Sequence, residues 1–264
     1  MNWLITDGFT LFGLEIKFYG VLIASAMLMS VFLVQYLAKK RNMNPDDIIV
    51  LALIVIPFSI LGARLYYCIF SDTNYTFETF WQIRNGGLAI YGGIIGGIIA
   101  ILIFCAYKRD LKLIVKLFDI IVPALILSQS IGRWGNFFNQ EAYGNLVTNP
   151  KWQWFPFAVK IDTYSGYEWH LATFFYESMW NLVGFIILMV AFFKTKKVGS
   201  LTGIYLTYYG LGRIWIEGIR TDSLYLGPLR VSQWLSAIIM VIGLVILVYN
   251  YINKRKDKAD EQKS

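Results

Sequence analysis

Between Gly132 and Gly144 the chain reads Gly-Arg-Trp-Gly-Asn-Phe-Phe-Asn-Gln-Glu-Ala-Tyr-Gly, directly after the apolar run Leu117 to Ile131. A charge at mid-bilayer costs roughly 2.5–3.5 kcal/mol on insertion scales, so a group like Arg133 requires compensation. An anionic ligand is the natural candidate, because a guanidinium binds two phosphate oxygens through parallel N–H bonds. A polar loop at the membrane surface is the plain alternative. On a helical turn, Arg133, Asn136 and Gln140 would share one face. The glycines allow close backbone approach to a ligand, or a helix broken at Gly132 and Gly135 that lines a cavity.

A second polar segment runs from Tyr209 through Gly210, Gly212, Arg213 and Glu217 to Arg220. At helical spacing Tyr209, Arg213, Glu217 and Arg220 fall on one face. Arg213 and Glu217 can neutralise each other, which would make them an ion pair that only holds helices together. Arg220 still leaves one positive charge over. A third segment, Asn85 to Gly97, is glycine-rich and carries Tyr91, whose phenol can face a lipid headgroup. For Gly96 and Gly97 the preferred reading is close helix packing. Arginines exceed acids near the outer ends of these segments, as a pocket for an anion with an apolar tail would require.

The elements that position these residues follow from hydropathy. Of 264 residues, 57% are hydrophobic and 16% charged, with a mean hydropathy of +0.53. A soluble domain carries nearer a quarter charged residues. The fold class is therefore all-α, a polytopic membrane protein with about seven transmembrane helices, at 18–38, 48–70, 88–107, 114–131, 174–193, 201–219 and 231–252. Residues 1–253 read as a single transmembrane catalytic domain. Segment 132–173, rich in Trp, Tyr and Phe (Tyr164 among them), reads as a small extracytoplasmic cap at the interface. Residues 254–264 read as a charged, disordered cytoplasmic tail.

With the N-terminus outside and the C-terminus cytoplasmic, fifteen basic residues fall on the inner side and six, Arg84 included, on the outer. That bias fixes the expected orientation. The net charge of +7 is spread over membrane-flanking clusters, with no basic stripe for nucleic acid. The first apolar run lacks a basic leader and is followed by Lys39-Lys40-Arg41, the pattern of an anchor rather than a cleaved signal. Cys68 and Cys105 lie in apolar segments and read as buried hydrophobes. One histidine, His170, excludes a multi-histidine metal site, and no cofactor is suggested.

The run Gly132-Arg133-x-Gly135-Asn136-Phe137-Phe138-Asn139-x-Glu141-x-x-Gly144 resembles the signature of the prolipoprotein diacylglyceryl transferases. The resemblance extends to Tyr19-Gly20, Arg64, the glycine-rich stretch, Tyr176-Glu177, and Tyr209 through Arg213 and Glu217 to Arg220. It implies an enzyme of the bacterial cytoplasmic membrane, with its active site toward the outer face. That enzyme would move diacylglycerol from phosphatidylglycerol to the lipobox cysteine of a prolipoprotein, the first step of lipoprotein maturation. On that reading Arg133 and Arg213 neutralise the leaving phosphate, while Glu141 and Glu217 orient them. Asn136 and Asn139 donate to headgroup oxygens or peptide backbone. Tyr19, Arg64, Gly144, Tyr209 and Arg220 complete the substrate site.

Two positions depart from the family pattern. Tyr91 stands where most members have a histidine, so a mechanism with that histidine as general base cannot run unchanged. A phenol is a poor base, and Tyr91 becomes a hydrogen-bonding residue. His170 is followed by Leu171 where the family often has proline. A transporter of an anionic solute is the competing class, but the two halves share no matching polar motifs. A signalling receptor would leave the 132–144 motif without a role.

The orientation is testable with Cys68 and Cys105 replaced by Ala. A cysteine at Asn149 or Ser165 should react with a membrane-impermeant thiol reagent in intact cells. One at Lys196 should react only after the membrane is opened. The reverse pattern would invert the topology.

Overall fold

The computed structural model describes residues 7–71, 76–83, 86–163, 166–221, 225–226 and 229–261. Arg84, Asn85, Tyr164 and Ser165, all named above, lie outside them. Helices dominate: α1 Phe18–Lys40, α2 Pro45–Phe70, the single turn α3 Phe77–Phe80, α4 Ile90–Tyr107, α5 Leu113–Phe138, α6 Thr173–Lys194, α7 Ser200–Glu217 and α8 Val231–Glu261. Six of them (α1, α2, α4, α5, α6 and residues 231–253 of α8) are long and apolar enough to cross a membrane. The seventh long helix, α7, matches α4 in length at 18 residues but carries Tyr209, Arg213 and Glu217, which lower its hydropathy.

Two boundaries differ from expectation. Helix α5 runs unbroken through Gly132 and Gly135 to Phe138. Its polar residues find side-chain partners on neighbouring elements, so the backbone ladder has no reason to open. At 26 residues it is ~39 Å long at 1.5 Å per residue, against ~30 Å of hydrocarbon. Helix α8 continues to Glu261, so most of the expected disordered tail is helical. The described residues also form three small antiparallel hairpins, a minor part of this helical fold: β1 Gly8–Leu11 with β2 Leu14–Lys17, β3 Ala158–Thr163 with β4 Gly166–Leu171, and β5 Tyr225–Leu226 with β6 Leu229–Arg230.

The chain falls into two compact units, residues 31–117 and residues 1–30 with 118–264. Within the first, α2 and α4 pack backbone to backbone. A Cβ on Gly62 would strike the Gly92 carbonyl, and one on Gly96 would strike that of Phe58. This is the small-residue packing expected of Gly96.

Within the second unit, α5, α6 and α7 are tied by polar contacts at successive heights. Ser130 Oγ donates to the Ser178 carbonyl at 2.8 Å, and Ser178 Oγ returns a bond to the Ser130 carbonyl at 2.9 Å. Trp180 stacks on Tyr208 with ring centroids 4.6 Å apart, and its indole fills the space that a side chain at Gly212 would need.

Asp119 of α5 caps the N-terminus of α7. Its carboxylate accepts from Gly199 N at 2.7 Å, Thr202 N at 2.9 Å and Thr202 Oγ1 at 2.7 Å. Gly199 itself sits at φ +86° and offers no side-chain cap. Anionic groups belong at helix N-termini, where N–H groups lack acceptors. Removing this buried acceptor in Asp119→Ala should cost about 2–4 kcal/mol and lower the thermal midpoint measured in detergent. An unchanged midpoint would show that the cap carries no stability.

Candidate functional site

The end of α5 is held by a small aromatic core. Val159 and Ile161 of β3, with Ala172 and Phe174, are buried, and Trp134, Phe137, Tyr143, Phe175 and Tyr176 pack against them. This fixes the turn that carries Arg133 and Asn136. Tyr19 of α1 packs against Gly135, where any Cβ would meet its ring.

Glu177 of α6 sits between two arginines. Arg133 Nη2 lies 2.9 Å from Glu177 Oε1. Arg213 Nη1 donates to both Glu177 oxygens, at 3.2 and 3.1 Å. Arg213 Nη2 also pairs with Glu217 Oε2 at 2.6 Å. The Tyr209 hydroxyl is hydrogen-bonded to Arg133, with Glu177 and Arg213 within electrostatic reach. The carboxylate side chains are only 4% and 5% exposed, against 19% for Arg133 and 15% for Arg213. Among these four side chains the guanidiniums are the more exposed groups, a property that an anion site needs.

Polar residues of the motif extend this network. Arg133 Nη1 donates to Asn136 Oδ1 at 3.2 Å, confirming the i, i+3 face. Asn136 Nδ2 and Asn139 Nδ2 both donate to Glu141 Oε1, at 2.9 and 3.2 Å. Glu141 thus reaches Arg133 through Asn136 rather than directly. Gln140, expected on the same helical face, lies past the helix end at φ +50°, and its Oε1 accepts from Asp162 N at 2.8 Å.

Gly144 is a backbone crossing. Its N–H donates to Leu171 O at 3.0 Å, its carbonyl lies 2.9 Å from His170 Nδ1, and it pairs with Arg220 across an isolated bridge. Helix α7 ends at Glu217, so Arg220 leaves the helical face on which Tyr209, Arg213 and Glu217 remain.

The sequence model of prolipoprotein diacylglyceryl transferases matches residues 7–249. The chain belongs to the prolipoprotein diacylglyceryl transferase family. Relatives named phosphatidylglycerol–prolipoprotein diacylglyceryl transferase include one from Streptococcus agalactiae, 45% identical over 239 residues, which are 89% of this chain and 91% of the relative. Another, from Trichormus variabilis, is 44% identical over 250 residues, 92% of this chain and 88% of the relative. One from Streptococcus pneumoniae is 42% identical over 249 residues, 92% of each chain.

In this transferase, Arg133, Asn136, Asn139, Glu141, Tyr209, Arg213 and Glu217 lie in one connected network. Tyr19 adjoins it through Gly135, with Glu141 and Arg133 close enough to act on its hydroxyl electrostatically. Arg64 and Tyr91 belong to the other compact unit. Tyr91 is on the first turn of α4, 46% exposed, its ring 6.4 Å from that of Tyr66. Arg64 is buried among backbone carbonyls.

Glu177 carries more of the geometry than its place in the sequence pattern suggests. There it stands only as part of Tyr176-Glu177, although an acid within an apolar helix is a signal in itself. The same signal would have marked Asp119.

A Cβ at Gly144 would stand 2.8 Å from both Leu171 Cβ and Thr173 Cγ2, and 3.0 Å from the Ile219 carbonyl. Gly144→Val should therefore cost about 1–3 kcal/mol of stability, read as a lower unfolding midpoint in detergent. A variant as stable as the parent would mean that the crossing is loose.

Proposed function

We propose that this chain transfers the diacylglyceryl group of phosphatidylglycerol to the lipobox cysteine thiol of a prolipoprotein, forming a thioether and releasing glycerol phosphate. The family match over residues 7–249 carries this reading. The Arg133–Glu177–Arg213 network supports its phosphate half.

In the reaction the thiol proton passes to water or to the departing phosphate, and an S–C bond forms at the glyceryl carbon that bore the phosphate ester. The C–O bond breaks, and its electron pair leaves with the glycerol phosphate. Charge therefore builds on phosphate oxygens. Guanidiniums already fixed at that point stabilise it without reorganising, and do so most effectively where water is excluded. Arg133 and Arg213 take this role, held by Glu177 and Glu217. Asn136 and Asn139, oriented by Glu141, present amides to the headgroup or to the peptide backbone.

A free thiol has a pKa near 8.5, and a cationic surround favours the thiolate, which is the attacking form. Tyr91 donates a hydrogen bond where the family pattern carries a histidine. Tyr19, Tyr209 and Arg220 belong to the substrate site, Tyr209 through its hydroxyl and Arg220 through the Gly144 crossing. The protein is multi-pass. We place it in the bacterial cytoplasmic membrane with its N-terminus and the Arg133 end of α5 outward, on the charge bias of its loops.

The test is purified protein with labelled phosphatidylglycerol and a lipobox peptide. Gain of a diacylglyceryl mass on the peptide cysteine is expected, and no gain would reject the reading. In the same assay Arg133→Lys should lose most activity although charge is kept, because an ammonium lacks the planar fork. A folded Lys variant within about twofold of the parent would remove Arg133 from the phosphate-binding role.

A further inference from the structure

Arg64 was expected to touch substrate, yet its side chain is turned into its own protein unit. The residue is 3% exposed. Nε donates to Phe80 O at 2.8 Å, Nη2 to Thr79 O at 2.8 Å, and Nη1 to Gly86 O and Gly87 O, both at 2.9 Å. These four acceptors are backbone carbonyls, two in α3 and two just before α4.

That stretch is shaped to meet the guanidinium. Gly86 and Gly87 stand at φ +87° and +78°, a region that L side chains rarely adopt. A Cβ on Gly87 would strike Arg64 Nη1 and sit 2.6 Å from the Tyr67 ring, which lies 5.9 Å from the guanidinium centre. Two residues on, Ala89 N donates to Ala63 O at 3.0 Å, so the neighbour of Arg64 ties down the N-cap of α4. The next residues are Ile90 and Tyr91.

We propose that Arg64 is a positioning residue: its planar fork gathers four carbonyls, ties Thr79 and Phe80 to Gly86 and Gly87, and so sets the first turn of α4 that presents Tyr91. It does not bind the lipid phosphate. Only a guanidinium has the donors in this geometry; an ammonium has three on a point charge. The kinetic part of this inference rests on the transferase reading above.

The test measures full-length Arg64→Lys, Gly87→Ala and the double variant with phosphatidylglycerol vesicles and a lipobox peptide. Both single variants should lower kcat by about tenfold or more while KM for the lipid stays within about twofold. The double variant should be little worse than the weaker single one, because both act through the same segment. Hydrogen exchange at the amides of residues 86–91 should be faster in both singles, with α5 to α7 unchanged.

A tenfold rise in KM for the lipid in Arg64→Lys, with kcat and exchange unchanged, would overturn the proposal and make Arg64 a phosphate ligand. Unchanged kinetics and exchange in Gly87→Ala would overturn it as well. If Arg64→Lys does not fold, Gly87→Ala decides alone. If the parent transfers no diacylglycerol, the transferase reading fails. The exchange measurement then still decides the clamp.

Discussion

The Glu177 carboxylate, almost sealed from solvent and shared by Arg133 and Arg213, is the constraint on which the site depends. A buried carboxylate left without partners costs several kcal/mol, and so does a buried guanidinium. The three residues come from three helices, so α5, α6 and α7 cannot slide past one another without breaking a charged contact. The ties between Ser130 and Ser178 and between Asp119 and the start of α7 fix the same helices at other heights. The register that Glu177 demands is thus held along the length of the bundle. Glu217 then balances the second arginine, and the carboxylates sit behind the guanidiniums they orient.

Such an arrangement gives a pair of cations held in place by the protein itself. Two arginines side by side in apolar surroundings would repel and separate. The shared carboxylate lets them stay close, and their greater exposure leaves them as the accessible face. The aromatic core packed on β3 holds the other end of the same device. Trp134 and Phe137 anchor the last turns of α5, so Arg133 extends from a helix fixed on both sides. Asn136 continues the line of hydrogen bonds to Glu141, which links the helix to the loop leading into Gly144.

Much of this was legible in the sequence because membrane helices carry few polar residues, and each one stands out. The 132–144 motif and the Arg213–Glu217 spacing pointed to the network and to the faces from which it is built. Other features were hidden for physical reasons. The continuation of α5 through Gly132 and Gly135 depends on partners from α1, α6 and α7, which no local pattern contains. Glycine lowers helix propensity locally, but packing against Tyr19 outweighs it at Gly135. The β-hairpins are short and rest on cross-strand contacts. The carbonyls that Arg64 binds are backbone groups, which leave no trace in residue types. Asp119 reads as an isolated charge until the start of α7 is brought against it.

Glu177→Gln is the most direct test of the central claim. It keeps the size of the side chain and removes the charge that both arginines share. Steady-state transfer to a lipobox peptide, measured beside the unfolding midpoint, should show kcat/KM down by about a hundredfold or more, with a lower midpoint. A Glu177→Gln protein that unfolds like the parent and retains kcat/KM within about twofold would contradict the account. The arginines would then be held in place by something other than this carboxylate.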